Sequence, residues 1–136
     1  RVLPNFFSNI VNNKDLNIYG SGKQTRTYCY VSDAIEGFLR VIAKGVSGEA
    51  YNIGNYKPEI SVIELISLLQ KINHKKLNSK KINYPDSYPE DEPQRRCPDI
   101  SKAKKDLNYF PKIKINDGLK NYLKWAKNNY TIYKKN

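Results

Sequence analysis

Several residue types that carry specialised chemistry are scarce in this chain of 136 residues. It has no methionine, one histidine and two cysteines, Cys29 and Cys97, which follow no metal-ligand spacing. These absences argue against a disulfide-rich scaffold and a histidine–cysteine metal centre, so we expect free thiols in a reducing cytoplasm and no metal. No run of 18 apolar residues and no signal-peptide pattern occurs, and we expect neither membrane association nor export.

Acidic residues are also few, 13 against 24 basic ones, which leaves a net charge of +11 and a pI near 9.6. Such a charge allows a basic nucleic-acid-binding module as one alternative. However, 19 of the cations are lysines, dispersed without the basic–aromatic interleaving of nucleic-acid interfaces. We interpret them as solvated surface and expect no nucleic-acid partner. The five arginines carry more information, and Arg40 alone of them is predicted to be an ordinary helix-surface residue.

The hydrophobic patterns predict a mixed α/β fold around one modest core, a single domain over residues 1–136. The chain begins at Arg1 and has no methionine, so we expect it to be a piece of a longer protein. Helices are predicted over residues 4–13, from Asp33 to Gly45, from Ser61 with an apolar stripe that runs to Ile72, over 100–107 and from Asn116. Strands are predicted over 16–19, 25–31, 50–53 and 81–84.

Helix starts and apolar faces follow from the same patterns. Asp33, with Glu36 three residues later, has the spacing of a capping box. The apolar stripe of that helix is predicted to lie in the core, and it consists of Ile35, Phe38, Leu39 and Ile42.

The segment from Asp91 to Ile100 places two adjacent arginines, Arg95 and Arg96, between two prolines. Proline restricts its own backbone and that of the preceding residue, so the segment predicts a short, rigid, presented loop. Asp99 is the predicted N-cap of the next helix. Paired guanidinium groups suit a phosphate or a carboxylate, and a solvated basic turn is the alternative.

Three further motifs stand out. The glycine turn in Tyr19–Arg26 would let backbone approach a ligand while Arg26 reaches a phosphate, although its spacing is not that of a dinucleotide or Walker loop. In Tyr28–Asp33 the alternation of residues along a strand predicts that Tyr28 and Tyr30 lie on one face. The pattern of Glu49–Asn55 predicts a strand followed by a turn. Each motif alone also fits a purely structural role.

In this order and spacing the motifs resemble the extended short-chain dehydrogenase/reductase superfamily of nucleotide-sugar epimerases, dehydratases and decarboxylases. The resemblance covers essentially the whole chain, and the arginine segment is most similar to UDP-glucuronate decarboxylases, which make UDP-xylose. Cys97 and the run from Leu107 to Pro111 depart from the decarboxylase pattern. The implied fold is an α/β C-terminal substrate-binding portion, a small mixed sheet with helices, whose Rossmann half is missing. The matching segments are residues 1–6, 19–26, 30–33, 51–55 and 98–103.

The resemblance also implies roles for individual residues. Arg26 matches the position that grips the substrate diphosphate, and Arg96 matches a catalytic arginine beside the sugar, which assists protonation or orientation at C5. Arg95 has a weaker case and is expected to be solvated. The uridine side is matched by Val2, Leu3, Asn5 and Phe6, and the turn that closes over it by Tyr19, Gly20 and Ser21.

The implied cofactor is NAD, and the implied ligand is a UDP-sugar. NAD would be bound by the missing N-terminal half, because neither a dinucleotide glycine fingerprint nor a Tyr-x-x-x-Lys pair in a plausible active-site helix occurs here. The chain alone is therefore expected to be inactive, and the full-length enzyme to be a homodimer. The implied reaction oxidises sugar C4, releases CO2 and reduces the product to UDP-xylose. A nucleotide-sugar 4,6-dehydratase or 4-epimerase is the alternative.

Overall fold

The structure is a computed structural model that describes residues 2–85 and 93–130. Arg1, Asp91 and Glu92, which belong to the sequence motifs above, lie outside the described residues. The elements in chain order are α1 (Val2–Val11), β1 (Leu16–Tyr19), β2 (Thr25–Arg26), α2 (Val31–Lys44), β3 (Ile60–Ser61), α3 (Val62–Asn73), β4 (Ser79–Ile82), β5 (Arg95–Arg96), α4 (Ser101–Leu107) and α5 (Ile115–Asn129).

The predicted mixed α/β class is confirmed, and the chain forms two compact units. Unit 1 comprises Arg1–Gln24, Ser61–Pro93 and Asn116–Asn136, and unit 2 comprises Thr25–Ile60 and Gln94–Ile115.

Unit 1 contains a parallel pair of strands, β1 and β4, with Leu16 opposite Ser79. Ser61 caps helix α3, as predicted, and the cap is a complete capping box: the Ser61 hydroxyl accepts the Glu64 N–H at 3.2 Å, and the Glu64 carboxylate accepts the Ser61 N–H at 2.7 Å. The apolar residues of these elements form the core of the unit, which includes Phe6, Phe7, Ile10, Leu16, Ile18, Val62, Leu65, Ile66, Leu69, Leu119, Leu123 and Ala126.

Unit 2 contains a three-stranded sheet in the order β3-β2-β5. Its core centres on Tyr109, a fully buried tyrosine whose hydroxyl donates to the Gly54 carbonyl at 3.1 Å. Gly37 of α2 lies so close that a Cβ there would meet Ile53 at 2.2 Å, so only glycine allows this packing. The remaining buried members of the cluster are Ile100, Ala103 and Leu107.

One predicted strand is shorter than expected, and another is absent from the sheets. The predicted 25–31 strand pairs only at Thr25–Arg26, because its partner β5 is itself two residues long and lies between Pro93 and Pro98. Gln94–Arg96 is accordingly not a free loop but ends in an edge strand. The predicted 50–53 strand is not assigned to any sheet, and its Asn52 side chain donates to the Asp99 carbonyl at 3.0 Å.

The predicted cap at Asp33 is wrong. Helix α2 begins at Val31, with Tyr30 as N-cap and no side-chain cap hydrogen bond. Asp33 is buried in the first turn, and its carboxylate accepts the backbone N–H groups of Lys112 (3.1 Å) and Ile113 (2.9 Å). The Asp33 carboxylate thus satisfies backbone N–H groups of residues 112–113 in unit 2 and not those at the start of its own helix.

The predicted N-cap at Asp99 lies one residue before the observed one. The N-cap position of α4 falls on Ile100, but the Asp99 carboxylate still accepts the Ser101 N–H at 2.8 Å. Arg40 is more than a surface residue, because it donates to the Leu107 carbonyl at 3.1 Å and pairs with Glu36 at 2.8 Å.

The apolar stripe predicted to lie in the core is instead exposed. We call the residues Val31, Ile35, Phe38, Leu39, Ile42 and Val46 the α2 apolar face, and each is at least half exposed, Ile42 at 82%. The periodicity was that of a helix with an apolar side, but the buried residues of α2 are Asp33 and Gly37. A contiguous exposed apolar surface of this kind is typical of an interface with further protein.

We predict that the isolated chain self-associates through the α2 apolar face. Phe38→Lys should weaken that association about tenfold or more, because it places a charge where a phenylalanine would be buried. Sedimentation velocity over a concentration series measures the effect. Phe110→Lys is the matched control, since Phe110 is 49% exposed but lies outside α2. Equal loss of association in both variants would contradict the prediction.

Candidate functional site

The central feature of the candidate site is the pairing of β2 with β5. The two strands are parallel, with Thr25 opposite Arg95 and Arg26 opposite Arg96. The Thr25 N–H donates to the Gln94 carbonyl at 2.8 Å, and the Thr27 N–H donates to the Arg96 carbonyl at 3.1 Å. Residues opposite one another in a sheet project to the same face, with strands about 4.8 Å apart. Arg26 and Arg96 therefore emerge side by side.

The opposite face of the same pair is held together by Glu59. Its carboxylate accepts the Thr25 hydroxyl, and it forms an ion pair with Arg95 in which Nε is 3.0 Å from both carboxylate oxygens and Nη2 is 2.7 Å from one. Arg95 was expected to be solvated, and its side chain is 66% exposed, yet it is paired. Glu59 thus connects the two strands from one face while the two other arginines share the second face.

The electrostatics of the shared face favour an anion. Two positively charged side chains on neighbouring positions of one face attract an anion. Arg26 is half-buried, and its guanidinium donates from Nη1 to the Thr25 carbonyl at 2.8 Å, which orients the guanidinium group. Planar guanidinium groups in this arrangement can hold a phosphate or carboxylate through several charge-assisted hydrogen bonds.

The glycine turn of unit 1 follows β1. Gly20 has φ +64° and Gly22 has φ +72°, backbone conformations that favour glycine, and a Cβ at Gly20 would meet the Tyr84 ring at 2.8 Å. Gln24 fastens the turn, because its side-chain amide donates to the Tyr19 carbonyl and to the Tyr84 hydroxyl, both at 3.2 Å. Ser21 at the tip is exposed. Packing and backbone geometry therefore account for both glycines without a ligand.

The residues matched to the uridine side lie in the first two turns of α1. Val2 and Leu3 are half-buried and Asn5 is exposed, so all three present surface. Phe6 is 1% exposed and belongs to the core of unit 1. Its burial leaves almost no surface for a ligand, and its assignment, like that of the others, stays a prediction.

The structure thus brings together Arg26 and Arg96 in unit 2, whereas the other predicted ligand residues belong to unit 1. Sequence reasoning missed Glu59 and Tyr84. Glu59 follows a Lys-Pro dipeptide in an irregular segment, where no periodic pattern marks it. Tyr84 could have been suspected, because it follows the second strand of the pair that carries the glycine turn.

Both cysteines are free, as expected. Burial raises the pKa of the Cys29 thiol, whose sulfur lies 3.7 Å from the Tyr109 hydroxyl, so it is a packed thiol and not an activated one. The residues that the structure describes contain no group of histidine, cysteine and acidic side chains able to hold a metal ion. Among those same residues, no helix has the length and apolar character needed to cross a bilayer.

Comparison with known proteins identifies the family. Residues 1–54 match the model of the NAD dependent epimerase/dehydratase family. The chain is 37% identical over 138 residues to human dTDP-D-glucose 4,6-dehydratase, covering 98% of this chain and 39% of the relative. It is 36% identical over 120 residues to UDP-glucuronic acid decarboxylase 3 of Arabidopsis thaliana, covering 88% of this chain and 33% of the relative. The chain therefore belongs to the NAD dependent epimerase/dehydratase family.

Solved structures place the fold among the nucleotide-sugar enzymes of this family. UDP-glucuronic acid 4-epimerase from Bacillus cereus, in complex with UDP-glucuronic acid and NAD, superposes with a TM-score of 0.84 at 32% identity, over 94% of this chain and 40% of that one. dTDP-glucose 4,6-dehydratase from Streptomyces venezuelae gives a TM-score of 0.85 at 26% identity, over 97% and 40%. This chain thus spans about two fifths or less of the length of these relatives.

We predict a defined titration of Glu59. The Thr25 hydroxyl and, second, Arg95 hold the pKa of its carboxyl below the ordinary value. A carboxyl with a lowered folded-state pKa stabilises the fold above its unfolded pKa, and this contribution is lost as the pH falls through the folded value. Thr25→Val and Arg95→Ala should each raise the pKa of Glu59, as followed by carboxyl ¹³C NMR.

Glu64 is the internal control for this titration. The pKa of its carboxyl is also lowered, but by Ser61 at the start of α3, so neither substitution should change it. An unchanged Glu59 titration in both variants would rule out the arrangement described here.

Proposed function

We propose that this chain is the substrate-binding part of an NAD-dependent nucleotide-sugar enzyme, and that the enzyme is a UDP-glucuronate decarboxylase, a carboxy-lyase that converts UDP-glucuronate to UDP-xylose and CO2. The observation that carries the proposal is the register of β2 and β5, which sets Arg26 beside Arg96 on one face. Two arginines at this spacing suit a ligand with anionic groups at two points. A UDP-glucuronate molecule has a diphosphate and a sugar carboxylate.

Arg26 is the proposed diphosphate ligand. The diphosphate carries about two negative charges, and a guanidinium offers two parallel N–H donors to such a group. The hydrogen bond from Arg26 Nη1 to the Thr25 carbonyl fixes the guanidinium group through one of its five N–H donors, which reduces the entropy lost on binding and leaves the other donors for the ligand.

Arg96 is the proposed catalytic residue. In a decarboxylation the carboxylate leaves and the adjacent carbon gains electron density before it is protonated at C5. A guanidinium beside this carbon stabilises the developing negative charge and orients the proton donor. The exposed position of Arg96 on an edge strand suits this role, because the side chain can reach a ligand without any movement of the core.

The described residues do not fit a site for NAD. The turn with Gly20 and Gly22 leads towards strand β2 and not into a helix N-terminus, so it cannot cradle a pyrophosphate as a dinucleotide fingerprint does. We propose that NAD is bound by a preceding Rossmann portion of the longer protein and that this chain alone is inactive. No chemical step of the cofactor is assigned to residues of this chain.

Two related activities are the alternatives. The similarity to the Bacillus cereus UDP-glucuronic acid 4-epimerase favours a 4-epimerase, and its substrate carries the same carboxylate, so an arginine beside the sugar suits both reactions. The identity to the human dehydratase supports a 4,6-dehydratase, whose substrate has no carboxylate for Arg96. The product formed from UDP-glucuronate separates these activities.

We propose further that the 136 residues act as one substrate-binding domain and that the longer enzyme is a cytoplasmic homodimer. The α2 apolar face supports the presence of additional protein, because its six exposed side chains need a partner surface. Since the chain spans about two fifths or less of its relatives, we assign that surface to the Rossmann portion.

For Arg26 we expect a specific loss of nucleotide affinity. Arg26→Ala in the full-length enzyme should weaken UDP binding by about 2–4 kcal/mol, because the diphosphate loses a charge-assisted partner. Isothermal titration calorimetry with UDP measures it. Arg40→Ala is the control, which should lower the thermal stability through its lost contacts with Glu36 and Leu107 but leave UDP affinity unchanged. Equal losses of affinity would disprove the assignment.

For Arg96 we expect a loss of turnover. Arg96→Ala should lower kcat by about 10²–10⁴-fold, with a smaller change in KM, because the contact matters most in the transition state. Arg96→Lys should recover part of the rate, since it keeps the charge but not the planar fork. The assay follows UDP-xylose formation from UDP-glucuronate by the full-length enzyme.

Arg95→Ala is the neighbouring control and should be milder, because Arg95 projects to the Glu59 face. Wild-type turnover by Arg96→Ala would remove the catalytic role. Formation of a C4 epimer in place of UDP-xylose by the parent enzyme would move the function to the epimerase branch.

A further inference from the structure

Glu59 links all three strands of the β3-β2-β5 sheet through one carboxylate. It immediately precedes β3, and its carboxylate accepts the Thr25 hydroxyl on β2 and the Arg95 guanidinium on β5. A contact from one outer strand to the other has to cross the middle strand, a span of about 9–10 Å at the usual strand spacing. The side chain it crosses is a threonine, which is short and donates a hydrogen bond to the same carboxylate.

Strand β5 is the element with the fewest other attachments. It is two residues long, lies at the edge of the sheet and is flanked by Pro93 and Pro98. Prolines donate no backbone hydrogen bond, so they cannot extend the ladder. A ladder this short opens easily, because few hydrogen bonds oppose its opening. The ion pair between Glu59 and Arg95, with Nε 3.0 Å from both carboxylate oxygens and Nη2 2.7 Å from one, adds a second attachment.

The attachment at Arg95 bears on its neighbour, Arg96. The two side chains project to opposite faces of β5, because they are adjacent residues of a strand. Fixing the Arg95 guanidinium on one face restricts rotation of the strand about its own axis, and hence the direction in which Arg96 leaves the other face. Arg26 depends less on this contact, because β2 has a strand on each side.

We propose that Glu59 is a positioning residue, which holds β5 in register through Arg95 and so fixes Arg96 for the reaction from the opposite face of the sheet. The inference rests on the proposed function, because it takes Arg96 to be the catalytic arginine. Exposed ion pairs contribute little to global stability, so the effect of Glu59 should be seen in the strand and in turnover. A guanidinium displaced by about 1 Å lowers the rate without preventing binding.

Glu59→Ala in the full-length enzyme should lower kcat for UDP-xylose formation about tenfold. UDP affinity, measured by calorimetry, should stay unchanged, because Arg26 keeps its position. Glu59→Gln should recover part of the rate, since its amide oxygen still accepts hydrogen bonds but carries no charge. In the Arg96→Ala background, Glu59→Ala should lower kcat no further, because a positioning residue has no effect once the residue that it positions is gone.

Hydrogen exchange measures the attachment of β5 directly and needs no substrate. The N–H groups of Thr25 and Thr27 donate to the Gln94 and Arg96 carbonyls, at 2.8 Å and 3.1 Å, so opening of β5 exposes both of them. Glu59→Ala should speed exchange at these two N–H groups about fivefold or more.

Glu64→Ala is the matched control. The Glu64 carboxylate, like that of Glu59, accepts a hydroxyl hydrogen bond, from Ser61 at 2.7 Å, but it caps α3. The substitution should therefore lower the melting temperature and leave kcat and the exchange of the two N–H groups unchanged.

Two results would overturn the positioning role. One is wild-type kcat in Glu59→Ala while Arg96→Ala stays slow. The other is a further loss of kcat when Glu59→Ala is added to Arg96→Ala, because the two residues would then act independently.

The parent enzyme separates failure of this inference from failure of the proposed function. If it forms UDP-xylose at a rate that depends on Arg96 but not on Glu59, only the positioning role is overturned. If it forms no UDP-xylose from UDP-glucuronate, the proposed function fails, and the positioning role in that reaction fails with it.

Discussion

The parallel register of β2 and β5 is the constraint on which the candidate site depends. Only two residues of each strand pair, yet this short ladder decides which side chains share a face. Arg26 and Arg96 lie on one side, and Thr25 and Arg95 on the other. A shift of one residue in either strand would set Arg26 opposite a residue with a different orientation and separate the two cations. The chemistry that we propose therefore depends on the backbone register as well as on the two arginines.

Such a short ladder needs support, and Glu59 provides it from the side away from the arginine face. One carboxylate accepts hydrogen bonds from both strands, through the Thr25 hydroxyl and the Arg95 guanidinium. A surface ion pair alone contributes little to stability. Its value here is geometric, because it links residues 70 positions apart in the chain that must stay aligned for the opposite face to work.

In helix α2 of unit 2, the charged and apolar side chains are distributed in the reverse of the usual way. The helix buries an acid, Asp33, and exposes the α2 apolar face. The buried carboxylate is satisfied by two backbone N–H groups, so its burial is not a defect. No described residue covers the exposed face in the same way. This asymmetry supports the proposal that the exposed side of α2 packs against further protein.

The sequence by itself determined the class of fold, most helices, the strand at 16–19 and the family, because periodic apolar residues and glycine turns are local signals. It also singled out Arg26 and Arg96. Only the tertiary structure decided that these arginines are neighbours, that Asp33 serves residues 112–113, and that the stripe of α2 faces outwards. Each of these depends on contacts between distant segments, and periodicity shows that a helix has an apolar side but not what covers it.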